Sequence, residues 1–507
     1  MLKPGILFLL ALCIFASCKT DTLSPKTHLE ISVPYDPDTL DPHASNTISN
    51  FATAGQFYEP LVRADANLKI APALATSWEN PDLLTWIFHL QRSAKFHSGK
   101  KVEADDVVYS FHRLLTHPEL EMRAYLANVI EVKSLDPYSV RVRTSQPVSV
   151  FLNKLNFVLI VPRNSNSSFL AAHEDGSGPY RLVDWIPGNR IRLTRNEQYW
   201  DQKPSIEFVT FYLNRTPQQS IQDLQSEKSQ FIQSNTKMLE KVIGSSNRYQ
   251  MQVHDSLFVK FLSYDMARDQ TPYCSEKTNP FRQKLVRQAI QAAIDQKSLI
   301  AKLSTYSVPA TQPVPPFVYG YNPEIAPPVH DLVKARALLA QAGYPNGFEV
   351  TLHARVILSE AAEIVKKQLA DIGIRVNVRA LSSPDFYSAM NRRDFSFILT
   401  ATACPTGDAG NILEGAMHSP NPSAQFGNLN YGGYSNPELD REIEESSGIP
   451  QQETRRSRLE KIMSEVMQDL PWIPLYIDQE AYGVADNLQW TPRNDSYVFA
   501  REITLHK

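Results

Sequence analysis

No run of about 18 consecutive apolar residues occurs in the 507-residue chain, so no segment reads as a helix crossing a bilayer. Glycine is scarce at 19 residues and proline abundant at 35, which excludes a Gly/Ser-rich or collagen-like design and suits long, stiff connections. Neither charge predominates: 51 Lys and Arg face 54 Asp and Glu, for a formal net charge of −3. With no basic surplus to neutralise phosphates, nucleic acid is not an expected partner. The G-x-S-x-G elbow, the P-loop, H-E-x-x-H and C-x-x-C are all missing, and with them the usual hydrolase, nucleotide and zinc signatures. The expectation is therefore a protein without enzymatic activity, cofactor or metal. Histidines are scattered: His112 and His117 stand five apart, off the spacing of one helical face, and read as ordinary surface residues.

Hydrophobic residues make up 42% and charged residues 21%, ordinary globular usage, and the length suggests about three domains or lobes. The chain starts with Lys3 and the 13-residue apolar run Gly5 to Ser17, too short to span about 30 Å of hydrocarbon. It reads as a secretory segment. Its end, Phe15-Ala-Ser-Cys18 followed by polar residues, resembles a bacterial lipoprotein signal, in which Cys18 would carry the lipid. A plain signal peptide with an incidental cysteine is the competing reading. Cys13 would leave with the signal, so Cys274 and Cys404 remain as an exported pair that can form a disulfide, with two buried free thiols as the alternative. Closing that loop would contribute roughly 5 kcal/mol in the chain-entropy picture.

Strand and helix periods alternate throughout. Trp86, Phe88 and Leu90 have the period of a half-buried strand, and Ala104-Asp105-Asp106 opens a helix whose apolar face is Val107, Val108, Phe111, Leu114 and Leu115. Ile191 and Leu193, then Ile206, Phe208 and Tyr212, mark further strands. The clearest unit is Phe348/Val350/Leu352, a helix from Glu360 to Ala370 closed by Gly373, and Ile374/Val376/Val378: a βαβ unit with parallel strands. Asp331 is placed to cap a helix over Leu332 to Leu339, and Val286, Ile290, Ala293 and Ile294 line another. The class is α/β with mixed sheets.

An ordered series of words then carries a resemblance. Leu40-Asp-Pro42, Tyr58-Glu-Pro-Leu61, Pro72 to Glu79, Thr85 to Leu90, Phe96-His-Ser-Gly99, Ala104 to Phe111, Gly176-Ser-Gly-Pro-Tyr180, Arg195-Asn196, Tyr199-Trp200, Val286 to Ile290, Ala342-Gly-Tyr-Pro345 and Pro471 to Tyr476 cover nearly the whole chain after its first segment. The series resembles the extracytoplasmic solute-binding proteins of peptide ABC importers, the oligopeptide- and dipeptide-binding family. The resemblance implies a periplasmic-binding-protein-like clamshell of three lobes: residues 19–59, 178–272 and 476–507 as lobe I, 60–177 as an inserted lobe II, and 273–475 as lobe III. Hinges are implied near Gly178 to Tyr180 or later and near the ends of lobe III. The shared words would mostly build the frame, so Trp78, Trp86, Tyr180 and Trp200 are expected in the core.

In that family an extended peptide is held as an added strand, its main chain supplying the hydrogen bonds. The resemblance implies ligand contacts from Tyr35, Asp36 and Tyr125, and from Thr402, Ala403, Cys404 and Asp408. Asp36 has a second reading, since Asp36-Pro-Asp38 is good turn chemistry. One departure stands out. Where the family's Trp-x-Ala-Asp-Tyr-x-x-Pro stretch pairs an Asp with the peptide α-ammonium, this chain reads Ala401-Thr-Ala-Cys-Pro-Thr-Gly-Asp408, placing Thr402 at the Trp and Pro405 at the Asp. Asp408, or more weakly Glu414, could take the role only in a rearranged loop. The family's bridge between this loop and the segment before Pro-Phe also favours a Cys274 to Cys404 disulfide. The implied partners are short peptides, membrane permease subunits and, through the lipid, the membrane, for a monomer. Alternatives are a cell-wall peptide, metal chelate, haem or sugar on the same scaffold, or a surface receptor or adhesin.

Overall fold

Apolar residues at period two along Trp86, Phe88 and Leu90 form the strand Thr85–Leu90, which lies inside a four-stranded antiparallel sheet with Ala75–Asp82, Ser139–Thr144 and Val129–Asp136. The computed structural model describes residues 28–505; the signal segment, Cys13 and the lipidation candidate Cys18 lie outside the described residues. Helix Ala104–Thr116 packs on this sheet through Val107, Phe111 and Leu114, and a Glu103/Asp106 capping box fixes its start. Asp105-Asp106 is thus a helix start, as the sequence indicates.

The largest sheet among the described residues has 11 strands and runs through both halves of the molecule. At one end lie Tyr180–Ile186, Arg190–Arg195, Phe208–Tyr212 and His28–Ser32; at the other, Phe397–Thr402, Glu349–Arg355 and Arg375–Leu381. The βαβ unit is present as drawn from the sequence: Glu349–Arg355, helix Ser359–Ala370 and Arg375–Leu381, with the two strands parallel and in register from Glu349/Arg375 to Arg355/Leu381. Asp331 caps helix Leu332–Gln341 by accepting from the Lys334 N–H.

Two strands join the halves. Tyr249–Tyr264 and Trp472–Ala485 pair antiparallel along nearly their full length, with irregularities at Asp255/Val259 and Lys260/Phe261. Their outer ends belong to one core, which gathers residues from Leu29 to Leu213, Phe231 and residues from Tyr482 to Ile503, and their inner ends to cores built from 257–476 together with Leu68. The crossing strands fall later than Gly178 to Tyr180 and beside the ends of lobe III, where hinges are implied, and not at the 178–180 segment itself. That segment is locked inside the first core: Gly178 N–H donates to the Phe57 carbonyl at 2.6 Å, Tyr180 is fully buried, and a Cβ on Gly178 would lie 2.5 Å from the Phe57 backbone. Only backbone without side chains fits that approach.

The family-like words mostly form buried polar clamps of this frame. Asp41 takes both guanidinium nitrogens of Arg113 at 3.0 and 2.5 Å, with His43 bonded to the same guanidinium. Glu59, fully buried, receives Tyr199 Oη at 2.5 Å and Arg501 at 2.9 Å. His97 joins Glu174 to the Gly178 carbonyl. Buried charges persist only when partnered this way.

Candidate functional site

A cavity of about 890 Å³ lies between the four-stranded-sheet region and the distal part of the second half. One wall comes from Leu68 to Ile70, Trp78, Trp86 and Val148 to Asn153, the other from Phe317 to Tyr321, Asp408 and helix Gln452–Asp469 with Arg455 and Arg456. Its size and mixed aromatic and charged lining match a small-molecule or short-peptide site. Trp78 and Trp86 correct the core expectation: both are half-buried, packed on the first core by one face and open to the cavity by the other. Tyr180 is core, and Trp200 is half-buried with its indole N–H on the Ser177 carbonyl at 3.1 Å.

The altered loop seals this cavity. Thr402 ends the strand Phe397–Thr402, and Ala403 and Cys404 pack into the core of Leu413, Ile443 and Leu459. Gly407 stands at φ +67°, and a Cβ there would come within 2.9 Å of Leu68 Cβ across the cleft. Beside it the Asn153 amide donates to the Thr406 carbonyl at 2.7 Å. Asp408, 7% exposed, is held by both Arg455 guanidinium nitrogens at 2.6 and 2.9 Å and by the Gly410 N–H at 2.9 Å. Its carboxylate is fully engaged. Glu414 accepts from Ser447 Oγ at 2.5 Å, and burial pushes its carboxyl up from the usual range.

The disulfide expectation is corrected here. Cys274 and Cys404 are free thiols. Cys274 is half-buried and bridges to Val350 of strand Glu349–Arg355, in the core of Phe281 and Phe348, whereas Cys404 sits in the other core with its thiol on the Asp408 carbonyl at 3.0 Å. Burial pushes that thiol up to about 12, so it is held as an unreactive S–H donor.

Tyr35, Asp36 and Tyr125 are not among the residues lining this cavity. Asp36 accepts from Gly188 N–H at 2.5 Å and Asn214 at 3.4 Å, which is loop-anchoring chemistry. Tyr125 stacks on Phe157 at 4.6 Å and donates to Asn46 at 3.1 Å. Tyr35 keeps a half-buried ring, and its phenol is raised well above the ordinary value by burial and by the nearby carboxyl of Glu480. Burial first, and then Glu480 and Tyr35, also raise the Tyr482 phenol. Sequence reasoning missed Glu480, Gln233 and Arg455. A signal existed for the first: the polar triplet Asp478-Gln479-Glu480 interrupts an otherwise apolar run from Trp472 to Tyr482. Among the described residues no three His, Cys, Asp or Glu side chains gather as a metal site.

Two half-molecules joined by two strands, with a polar and aromatic cavity between them, have the architecture of a cleft-type solute-binding protein. The chain belongs to the bacterial extracellular solute-binding proteins, family 5, whose middle region matches residues 69–424. It is 26% identical over 471 residues to the glutathione-binding protein GsiB of Salmonella choleraesuis, covering 89% of each chain. It is 27% identical over 463 residues to heme-binding protein A of Haemophilus influenzae, covering 84% of this chain and 82% of that one. The fold is shared with the periplasmic binding protein DppA of Helicobacter pylori solved with the peptide STSA, at a TM-score of 0.80 and 23% identity over 95% of this chain and 98% of that one. No helix among the described residues is long and apolar enough to cross a membrane.

Proposed function

We propose that this protein is the substrate-binding component of a peptide ABC importer, capturing short peptides between its halves and handing them to a membrane permease. The observation that carries the reading is the cavity between lobes II (60–177) and III (273–475), bounded by Leu68, Asn153 and Asp408 and large enough for a few residues of chain. Relatives named for glutathione and a solved relative holding STSA support a peptide-sized ligand. In this reading lobe I (19–59, 178–272, 476–507) carries the two crossing strands as hinge, and ligand favours closure by contacting both halves at once. The protein acts as a monomer outside the cytoplasm, tethered through lipid on Cys18.

A second reading keeps the scaffold and changes the solute to a modified peptide. It is favoured by Asp408, whose charge is already spent on Arg455 and so offers no lock for a free α-ammonium. Native mass spectrometry of the protein purified from its own cells, with ligand released and identified, tests both. A ladder of peptide masses is the expected result, blocked or conjugated peptides would select the second reading, and a single non-peptide mass would overturn both.

A further inference from the structure

The crossing strands present one polar face and one apolar face. Ala481 and Ile232 pack into the small core of Leu224, Leu239 and Ile243. On the opposite side, strand register sets Gln252, Tyr482 and Gln233 in one row across three strands, with His254 opposite Glu480 in the next. Cross-strand partners point to the same side of a sheet, so this face is crowded with polar groups.

Few of those groups balance one another. Lys260 is the cation of the face, and its ammonium is bound to Asp478. His254 is turned to Asn494 Oδ1 at 2.6 Å. Glu480 is left with one amide hydrogen bond, from Gln233 Nε2 at 3.4 Å. Gln233 is 6% exposed, yet its amide oxygen has no partner, and neither does that of Gln252. A carboxyl and two amide oxygens on one face are therefore under-supplied with donors; the neighbouring Trp490 indole N–H, packed on Tyr482 at 4.7 Å, is also unpartnered but brings no charge. Burial and the Asp478 charge push the Glu480 carboxyl up, as expected for an acid awaiting a counter-ion.

We propose that Glu480, with the amide oxygens of Gln233 and Gln252, forms the subsite for a cationic nitrogen of the ligand, an ammonium or a guanidinium. The inference rests on the peptide reading and supplies the acid that Asp408 cannot. A peptide α-ammonium or a Lys or Arg side chain would present the same N–H donors. Binding such a group converts Glu480 from a buried acid facing only Gln233, Tyr35, Tyr482, His254 and the Lys260/Asp478 pair into one half of an ion pair.

The test titrates the full-length protein with three synthetic tripeptide libraries: free N-termini, N-acetylated, and free N-termini without Lys, Arg or His. For an α-ammonium ligand the native protein binds the free library at least tenfold tighter than the acetylated one; for a side-chain cation it is the library without basic residues that loses tenfold. In either case Glu480→Gln reduces the preference below threefold, while Gln479→Ala, on the opposite face of the same strand, leaves it unchanged. Thermal melting establishes that both variants are folded, and if Glu480→Gln fails to fold, the native preference measured at pH 4 and pH 8 replaces it, with the preference expected only at the higher pH. A full preference retained by Glu480→Gln or at pH 4, or no dependence on cationic groups in the native protein, overturns the subsite alone. Binding of none of the libraries overturns the peptide reading and the subsite with it.

Discussion

Asp408 and Glu480 are two acids of the same protein, and they are treated oppositely. Asp408 sits in a loop on a helix-rich wall and receives a bidentate Arg455 fork plus a backbone N–H. Glu480 sits on a hinge strand and receives one long amide bond. A charge removed from water needs several hydrogen bonds and a counter-ion to be stable. Where the fold provides them, the acid is architecture; where it leaves them out, the acid is available for a ligand.

The contrast is broken most severely at its satisfied end. Arg455→Ala strands Asp408 in the core, and the expected loss is about 3–5 kcal/mol in urea unfolding; Asp408→Asn combined with Arg455→Met should recover much of it. A loss below about 1 kcal/mol would mean that the Asp408 pair is not the anchor of the sealing loop.

Buried groups without a suitable counter-charge extend the comparison to histidine. His43 and His353 are both lowered to about 4, in each case first by burial and then by an arginine, Arg113 and Arg379 respectively. The folded state therefore keeps both neutral while the unfolded chain takes up protons below about 6.5. Stability is full above that value and falls as pH drops toward 4, by up to about 3 kcal/mol for each group. His353→Phe is expected to flatten the acid limb of the melting-temperature profile; an unchanged limb would show that His353 protonates freely in the folded protein.

A smaller effect sharpens the role of the seal. Gly407→Ala must hold φ +67° with a methyl group 2.9 Å from Leu68 Cβ, which is expected to cost about 1–2 kcal/mol and to weaken ligand capture more than folding. Equal ligand affinity in Gly407→Ala and the native protein would separate the loop from binding. The smallest change is Glu480→Gln in the absence of ligand. A carboxyl raised by burial stabilises the fold below its unfolded value and loses that stability as pH rises, so the variant should melt higher than the native protein at pH 8 and equally at pH 4. A lower melting temperature at pH 8 would mean that Glu480 is paired after all.

Much of the frame was legible before any coordinates. The βαβ unit, the helix from Ala104 and the cap at Asp331 are written in periods of 2 and 3.6 and in local side-chain-to-backbone bonds, which depend on neighbours a few residues away. The site was legible only in outline. Tyr35, Tyr125 and the Thr402 to Asp408 loop were singled out by resemblance, but nothing local says that Asp408 would meet Arg455, 47 residues on, or that Glu480 would face Gln233, 247 residues earlier. The cysteine pair failed for the same reason, since an even count does not bring Cys274 and Cys404 into one core.

The sequence by itself determined the α/β class, the scarcity of catalytic signatures, and a family-like order of words from Leu40 to Tyr476. Those are properties of composition, period and spacing. Only the tertiary structure decided which acids are neutralised and which are not, because ion pairing is set by where two crossing strands and a sealing loop bring side chains from distant parts of the chain, and charge is balanced in space rather than along the backbone.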